Sequence, residues 1–406
     1  MLLETICNSR VYHDNAYYLL GLQVGMTGRK MKRRIEDLET ANEMGAADWT
    51  RAYDQFLLGS SSAPSKERFD ELAERIKDPE FAVTEAFFWF WPTNESSDPA
   101  LEAIANGDRA GAVDIWRGLS KKGNREATIA KHNLAVLLHY YAIDAENQYL
   151  ARNVVVKEES YLASLDRFWH AAFEYWEALV DDDVFWDAFA DRVKAVDDPR
   201  LGQAFVEEFR RQFPITFDNI SADFIASYSK AENFAAAKRH VEYVRRGMMN
   251  DQGTVDSILE SGFRPLIGKV RAQIKSKSKE AVKDLKEVRE ILDVGNTTFA
   301  VFDSLGLAEC QFVADLKDDV AKACHQMLVR YANHYAETPC AEWNFGLVLA
   351  IEKELLGFIT SIHLRKEVNE GISQLEKNIE ALKNLYAAVH KAATMRWARE
   401  DSDYWV

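Results

Sequence analysis

The chain has 406 residues, of which 47% are apolar and 28% are charged, and its formal net charge is −15. This composition is typical of a folded globular protein and argues against intrinsic disorder. The acidic excess argues against binding of nucleic acid or of an anionic membrane by the molecule as a whole, although it leaves room for a local basic patch. A single hydrophobic core rarely supports this length, so we expect two or three structural units.

Cysteine usage and hydropathy favour a cytoplasmic protein, and we expect no cofactor. Four scattered cysteines are too few for a disulfide framework. The first ten residues lack the basic and apolar regions of a signal peptide. No apolar run approaches the roughly 20 residues that cross a bilayer. We therefore expect no membrane insertion.

The N-terminal stretch begins with a short apolar element and a basic amphipathic helix. Residues 17–22 read Tyr-Tyr-Leu-Leu-Gly-Leu. Thr27 is expected to cap the next helix, whose apolar positions repeat at intervals of four and three residues. These positions are Met31, Ile35 and Leu38. The other face carries five cations, namely Arg29, Lys30, Lys32, Arg33 and Arg34.

Two further helical segments follow. Residues 49–57 place aromatic and apolar side chains on one helical face, and a Gly/Ser-rich loop occupies residues 59–64. Ser65 is expected to cap a helix that leads to Asp78-Pro79. The inward face of this helix is predicted to consist of Phe69, Leu72 and Ile76.

The order of these elements resembles the J-domain of Hsp70 co-chaperones over about residues 15–80. The motifs that carry the resemblance are Tyr-x-x-Leu-Gly-Leu at 17–22 and Phe-x-x-Leu-x-x-x-Ile-x-Asp-Pro at 69–79. The resemblance implies that the basic helix docks on an Hsp70-type ATPase, through Arg29, Lys30, Lys32, Arg33 and Arg34. In that family a His-Pro-Asp tripeptide after this helix triggers ATP hydrolysis. Here residues 42–45 read Asn-Glu-Met-Gly, and His-Pro-Asp occurs nowhere in the chain.

The absence of the tripeptide predicts binding of the partner without stimulation of its ATPase. The alternative interpretation of the five cations is a solvated helix face that balances the charge of an acidic chain.

Five consecutive aromatic residues form the feature around which the chain is predicted to be organised. They are Phe87, Phe88, Trp89, Phe90 and Trp91. In a helix their side chains would point around nearly the whole circumference, and such a helix must be buried. We predict that residues 81–92 form a buried helical hinge between an N-terminal module, residues 1–92, and a helical array.

The rest of the chain predicts helices, and no segment shows the period-2 alternation of a strand, so we expect an all-α fold. A helix opened by Gly107-Asp108 and another at residues 125–143 resemble a tetratricopeptide helix pair. Residues 233–244 resemble a second helix of this kind. The separation of 125 residues between Ala112 and Ala237 is no multiple of the 34-residue period. We therefore predict an irregular α-solenoid at residues 93–265 and a bundle of long helices at residues 266–406.

Aromatic and apolar stripes mark the expected cores of these two parts. The aromatic residues of 160–213 are predicted to be buried, and Pro214 to end that block. The last helices are predicted at 299–336, 341–364 and 367–398, with a Lys/Ser-rich connection at 274–280. The final helix carries a coiled-coil stripe, expected to pack within the array. The stripe consists of Val368, Ile372, Leu375, Ile379, Leu382, Tyr386 and Val389.

Candidate metal sites give weaker patterns. Asp182, Asp183 and Asp187 could hold Mg²⁺ one helical turn apart, and their spacing resembles the aspartate-rich motif of all-α isoprenoid synthases. Asn250-Asp251-x-x-Thr254 resembles the second metal motif of that family, but Ile258 replaces its closing Glu. The favoured interpretation is a helix start with acidic residues at its N-terminus. Zinc is disfavoured because no two cysteine or histidine ligands show the spacing of structural sites; the residues considered are Cys310, Cys324, His325, His334 and Cys340.

These patterns predict a non-enzymatic adaptor or co-chaperone-like protein without catalytic residues or a bound metal. Its expected partner is a protein, with an Hsp70-type ATPase implied by the J-domain resemblance. Two alternatives stay open: a Mg²⁺-dependent enzyme of the isoprenoid-synthase type, and a structural subunit of a larger complex. The sequence leaves the oligomeric state open.

Overall fold

A computed structural model describes residues 3–43, 65–94, 98–151, 159–247, 251–278 and 284–402. Every regular element in these ranges is a helix, and none of them contains a strand, which confirms the all-α prediction. The helices are α1 (Leu3–Ile6), α2 (Ala16–Leu19), α3 (Gly28–Glu43), α4 (Lys66–Arg75), α5 (Pro79–Phe87), α6 (Pro99–Ala105), α7 (Arg109–Leu119), α8 (Arg125–Ala151), α9 (Glu159–Val180), α10 (Asp183–Ala195), α11 (Gln203–Lys230), α12 (Phe234–Arg246), α13 (Gln252–Lys277), α14 (Lys286–Ser304), α15 (Gln311–Tyr335), α16 (Ala341–Leu355) and α17 (Ile362–Ser402).

The helices belong to two compact units. Unit 1 comprises Met1–Ser227 and Glu242–Val255, and unit 2 comprises Tyr228–Val241 and Asp256–Val406. The three-part division of the sequence at residues 92/93 and 265/266 stays a prediction. So do the resemblances to a J-domain and to tetratricopeptide repeats.

The N-terminal helices begin where side-chain caps were expected. The Ser65 hydroxyl accepts a hydrogen bond from the Arg68 N–H at 3.3 Å, and the Thr27 hydroxyl accepts one from the Lys30 N–H at 3.4 Å. Such caps satisfy N–H groups that have no partner inside the helix. The predicted inward residues Phe69, Leu72 and Ile76 are buried. The segment at 49–57 and the loop at 59–64 lie outside the described residues.

The five-residue aromatic segment (Phe87 to Trp91) is buried as predicted, but the prediction that it is helical was wrong. Helix α5 ends at Phe87, and Phe88 to Trp91 follow an irregular path. All five side chains are nevertheless at most 2% exposed. A buried irregular segment must find hydrogen-bond partners for its backbone outside itself. The next helices in the chain supply them.

Two consecutive residues of α8 hold this irregular backbone. Asn133 Oδ1 accepts the Trp91 N–H at 2.8 Å, and Asn133 Nδ2 donates to the Trp91 carbonyl at 2.7 Å. His132 Nε2 donates to the Phe87 carbonyl at 2.8 Å. Burial lowers the pKa of His132 to about 3, so the ring stays neutral. The two side chains therefore replace the helical hydrogen bonds that the aromatic segment gives up.

The rings of the aromatic segment contact helices that precede and follow it in the chain. Trp89 lies 5.6 Å from Tyr18 of α2, and Phe90 stacks on Trp116 of α7 at 5.5 Å (centroid distances). Phe87 is surrounded by rings from α9, α10 and α11 at centroid distances of 4.7–6.1 Å. These rings belong to Trp176, Phe185, Trp186, Phe189, Phe209 and Phe213. The segment is therefore the common core of unit 1.

Most aromatic residues of 160–213 are buried as predicted, whereas Pro214 does not end their block. Pro214 lies inside α11, which continues to Lys230. A proline within a helix costs about 3 kcal/mol. Its neighbours Phe213 and Phe217 are both buried in unit 1. The packing of this aromatic face outweighs the local cost of the proline.

The helix boundaries near the C-terminus also differ from the predictions. Residues 299–336 were expected to be one helix, but α14 and α15 are separated by a turn in which Gly306 has φ of 71°. Such a left-handed conformation suits glycine and ends a helix. The predicted connection at 274–280 begins inside α13, which ends at Lys277. Helix α16 ends earlier than predicted, and α17 is longer at both ends.

The coiled-coil stripe of α17 is only partly covered. Val368, Ile372 and Leu375 are buried, and the first two belong to a core cluster of unit 2 that includes Ala321 and Leu364. The expected packing within the array is therefore confirmed for the first half of the stripe. Ile379 and Leu382 are half-buried, and the prediction was wrong for Tyr386 and Val389, because every residue from Lys383 to Met395 is exposed.

We predict that Asn133→Ala destabilises unit 1 strongly, because it removes both partners of the Trp91 backbone. Each buried backbone group left unsatisfied costs about 1–3 kcal/mol, so the loss should be on the order of 3 kcal/mol. In differential scanning calorimetry this corresponds to a melting temperature lower by roughly 10 °C.

The matched control for this variant is Glu126→Ala, at an exposed position of the same helix. It should change the melting temperature by no more than about 2 °C, since surface changes usually stay within about 0.5 kcal/mol. Equal effects of the two variants would contradict the assigned role of Asn133.

Candidate functional site

The basic helix α3 has the amphipathic arrangement that its sequence predicted. Ile35 and Leu38 are buried on one face. On the other face four cations are exposed to solvent, namely Arg29, Lys30, Lys32 and Arg33. We call these four residues the α3 basic face. Arg34 differs from them, because it is half-buried and its guanidinium lies beside Gly21.

An apolar cavity of about 390 Å³ adjoins the α3 basic face in unit 1. Met31 contributes to it from α3, between Lys30 and Lys32 in the sequence. The ends of α4 and α10 and the start of α5 form other walls. Its apolar lining includes Met26, Met31, Ile76, Pro79, Val83 and Val196. A cavity of this kind suits an apolar side chain or a small apolar group.

A second, more polar cavity of about 740 Å³ shares part of its lining with the apolar one. Lys30, Arg125 and Arg192 line it, together with a single carboxylate, Asp191. Arg125 pairs with Asp191 at 2.5 Å, and the Arg192 guanidinium lies 4.2 Å from the centre of the Trp91 ring. The cations outnumber the acid, so the local charge favours an anionic group. We call the two cavities together the α3 groove.

The aspartates considered for Mg²⁺ take part in helix capping and ion pairing. Asp182 caps α10 by accepting the Val184 N–H at 3.0 Å, and its other oxygen accepts from the Thr128 hydroxyl at 3.0 Å. Asp183 pairs with Arg210 at 2.8 Å, and Asp187 is exposed.

The second candidate metal motif also forms a helix cap. Asp251 caps α13 through the N–H and hydroxyl of Thr254 at 2.9 and 2.7 Å. Asn250 lies outside the described residues. In the described part of the chain no group of three or more His, Cys, Asp or Glu side chains is arranged to hold a metal ion.

The residues considered for zinc contain instead a buried ion pair in unit 2. His325 Nδ1 of α15 lies 2.8 Å from Glu352 Oε1 of α16, and its Nε2 lies 3.9 Å from Glu367 of α17. Gly371 leaves room for the ring, because a Cβ there would lie 3.2 Å from His325 Cε1. Cys310 and Cys324 are buried cysteines that form no disulfide, and Cys340 is exposed.

Electrostatics in this cluster favour the protonated histidine. The hydrogen bond and negative charge of Glu352 raise the pKa of His325, more than its burial lowers it. Burial raises the pKa of Glu352, and the facing imidazolium partly offsets that rise. The charged pair therefore joins α15 to α16 inside unit 2.

The sequence predicts the α3 basic face, whereas it predicts neither the α3 groove nor the His325–Glu352 pair. The groove is built from five separate stretches of chain, so no local sequence pattern indicates it. His325 and Glu352 are 27 residues apart on different helices. Their only local signal was a polar residue within each apolar helix face, which is compatible with many roles.

Comparison with known proteins adds no relative to this description. No protein-family model matches the chain, and neither the curated proteins nor the solved structures contain a match to it. Among the described helices none is both long enough and apolar enough to span a membrane.

We predict that millimolar Mg²⁺ leaves the melting temperature unchanged, because Asp182 and Asp183 already have protein partners. A metal that bound the folded state would raise the melting temperature by mass action. Asp183→Ala should behave like the wild type in the same titration. A rise with Mg²⁺ that Asp183→Ala abolishes would restore the isoprenoid-synthase alternative.

We also predict that the His325–Glu352 pair makes unit 2 less stable as the pH rises. The folded pKa of His325 is raised above the unfolded value of about 6.5. Its contribution to stability is therefore complete below about pH 6.5 and is lost as the pH rises through the folded pKa. The raised pKa of Glu352 acts in the same direction, since ionising the buried carboxyl also costs more in the folded state.

NMR titration of the His325 ring protons measures this directly. The wild type should titrate above about pH 6.5, and Glu352→Gln should lower the pKa of His325, because burial then opposes only the weaker attraction of Glu367. The control Glu376→Gln removes an exposed carboxylate that pairs with Lys353 and should leave the His325 titration unchanged. A His325 pKa that does not respond to Glu352→Gln would contradict this assignment.

Proposed function

We propose that this chain is a non-enzymatic adaptor that binds an acidic protein partner through the α3 basic face. The observation that carries the proposal is the joint exposure of Arg29, Lys30, Lys32 and Arg33 on a helix anchored by buried Ile35 and Leu38. Concentrated charge of one sign on an otherwise acidic chain steers a complementary partner and sets its orientation.

The α3 groove supports the same function. Charges at an interface govern encounter and register, whereas binding energy comes mainly from side chains buried in pockets. Met31 lines the apolar cavity between two cations of the basic face. A partner segment with an acidic residue beside an apolar one could therefore pair its carboxylate with the α3 basic face and insert its apolar side chain into the apolar cavity.

The J-domain resemblance makes an Hsp70-type ATPase the partner to test first. In that family the equivalent basic helix is the docking surface, and the His-Pro-Asp tripeptide is the trigger. This chain lacks the tripeptide, and part of the corresponding stretch at residues 42–45 lies outside the described residues. The proposed adaptor therefore binds the ATPase without accelerating ATP hydrolysis.

The test is the affinity for the purified Hsp70-type ATPase of the native host, measured by biolayer interferometry at low ionic strength. Arg29→Glu/Arg33→Glu should weaken binding at least tenfold, or about 1.4 kcal/mol. High salt should weaken wild-type binding in the same direction, since it screens exposed charges. Both arginines are exposed, so circular dichroism should stay unchanged. The double variant leaves Arg34 unchanged, because a change at this half-buried side chain would confound folding with binding.

The matched control is Lys121→Glu/Lys122→Glu, which makes the same change in net charge at two exposed positions after α7. It should alter the affinity by less than about twofold, since neither lysine lines the α3 groove. An equal loss of affinity in both double variants would mean that net charge, and not the α3 basic face, governs binding. No loss in either would make the α3 basic face a solvated surface, and strong ATPase stimulation by the wild type would contradict the proposed mode of binding.

A further inference from the structure

One end of unit 2 exposes large apolar side chains from two neighbouring helices. On α16, Trp343 is 71% exposed and Leu347 is also exposed. On α17, Leu385 and Val389 are 56% and 58% exposed, and Tyr386 is exposed beside them. Isolated exposed apolar residues are ordinary, but a group at one place marks an interaction surface.

Two contacts fix these residues at the same end of the α16–α17 pair. Lys353 near the end of α16 pairs with Glu376 of α17 at 2.8 Å. The Tyr386 hydroxyl donates to the carbonyl of Pro339, just before α16 begins, at 3.2 Å. The helices are therefore antiparallel, and the stretch of α16 that begins at Trp343 runs beside the stretch of α17 that ends near Tyr386. Beyond Tyr386, α17 continues to Ser402, a further length of about 24 Å.

The exposed part of α17 continues the stripe whose first half is buried. Leu382, Leu385, Tyr386 and Val389 follow the i, i+3, i+4, i+7 spacing of one helical face. Most of the stability of a helix in a protein comes from packing of its apolar face, so a covering partner would stabilise this exposed part of α17. We call these four residues, with Trp343 and Leu347, the α16–α17 end surface.

The charge beside the α16–α17 end surface identifies the chemistry of what covers it. No Asp or Glu occurs between Glu380 and Glu400, although the chain as a whole is strongly acidic. The same interval contains four cations, namely Lys383, Lys391, Arg396 and Arg399. The apolar stripe of α17, whose neighbouring charges between Glu380 and Glu400 are all positive, complements an apolar stripe flanked by carboxylates.

We infer that the α16–α17 end surface binds an acidic amphipathic helix of a partner protein. The helix seats its apolar face against Trp343, Leu347 and the α17 stripe, and its carboxylates face Lys383 and Lys391. This gives the proposed adaptor a second docking surface, which does not depend on the α3 basic face.

The same charges disfavour the two other occupants. If a second copy of the chain covered the surface, the two α17 helices would bring the same cations together. Neither helix has a carboxylate between Glu380 and Glu400 to pair with them. An anionic lipid surface is extended and would meet Glu337 and Glu342 together with the cations, whereas a single helix can lie along α17 with its carboxylates toward Lys383 and Lys391.

The experiment uses two labelled peptides of about 20 residues, both with leucine at a and d positions of a heptad. One carries Glu at its e and g positions and the other carries Lys. Fluorescence anisotropy should show that the full chain binds the Glu peptide at least tenfold more tightly than the Lys peptide. Leu385→Gln/Val389→Gln should weaken Glu-peptide binding at least tenfold, as should Lys383→Glu/Lys391→Glu. Glutamine is a good helix former, so helicity should persist in the first variant.

Two controls distinguish binding at this surface from nonspecific hydrophobic binding and from binding at the α3 basic face. Ile362→Gln removes an exposed apolar side chain at the opposite end of the same helix, where Ile362 is 87% exposed, and should leave binding unchanged. Arg29→Glu/Arg33→Glu should also leave peptide binding unchanged, regardless of its effect on the affinity for the ATPase partner.

Several outcomes would overturn the inference. One is equal binding of the two peptides, or binding of neither. Another is a mass of twice 46.3 kDa in sedimentation that Leu385→Gln/Val389→Gln returns to one chain, which would assign the surface to a second copy. A third is sedimentation with phosphatidylserine-containing vesicles without peptide binding, which would assign it to a lipid surface.

Discussion

The hydrogen bonds between the Asn133 side chain and the backbone of Trp91 are the interaction on which unit 1 depends. Five aromatic side chains in a row bury a large apolar area, worth on the order of 10 kcal/mol if each contributes about 2 kcal/mol. A continuous helix would direct these rings around its whole circumference. An irregular path lets each ring reach a different helix, from Tyr18 before the segment to Phe209 after it.

That path is acceptable only because the backbone is satisfied from α8. A buried N–H or carbonyl without a partner costs about 1–3 kcal/mol, so two of them would offset much of the gain from the rings. Asn133 supplies one donor and one acceptor in a single planar group, which matches both backbone groups of Trp91. His132, as a neutral ring, supplies one donor to the Phe87 carbonyl. The apolar core of unit 1 therefore rests on two polar residues.

Each unit carries one surface that combines positive charge with apolar area. In unit 1 the cations of α3 stand beside an apolar groove, and in unit 2 the cations of α17 stand beside an apolar stripe. Both surfaces combine a local positive charge with apolar area on a chain of net charge −15. Charge of this sign selects acidic partners, and the apolar area provides the energy to retain them. The proposed binding of acidic partners rests on this pairing of charge with apolar area in each unit.

The parts of this structure that sequence predicted are those that local periodicity encodes. Apolar spacing and capping residues located α3 and α4, including the anchors Ile35 and Leu72, because a helix face is set by residues three and four positions apart. The burial of Phe87 to Trp91 followed from composition alone. Their irregular path did not, because it is decided by Asn133, 42 residues from Trp91 in the chain. A Pro inside α11 went unrecognised for the same reason, since the tertiary packing that retains it has no local signature.

The same distinction between local periodicity and tertiary packing holds for the candidate binding surfaces. The α3 basic face was evident because its cations alternate with Met31 and Ile35 within a few residues. The α3 groove and the His325–Glu352 pair join distant stretches, and only the fold brings them together. The coiled-coil stripe of α17 was visible in the sequence, but the residue at which its cover ends depends on the length of the neighbouring helices. Periodicity therefore identifies a face, and the fold decides whether that face is free to bind.

The most direct test of the role of the aromatic segment is native-state hydrogen exchange of the Trp91 amide. If Asn133 holds this irregular backbone in the core, the Trp91 N–H should exchange only through unfolding of unit 1. Its exchange free energy should then equal that of the most protected amides of α8 and fall with denaturant at the same slope. Exchange of the Trp91 amide through a small local opening, with little dependence on denaturant, would contradict the account.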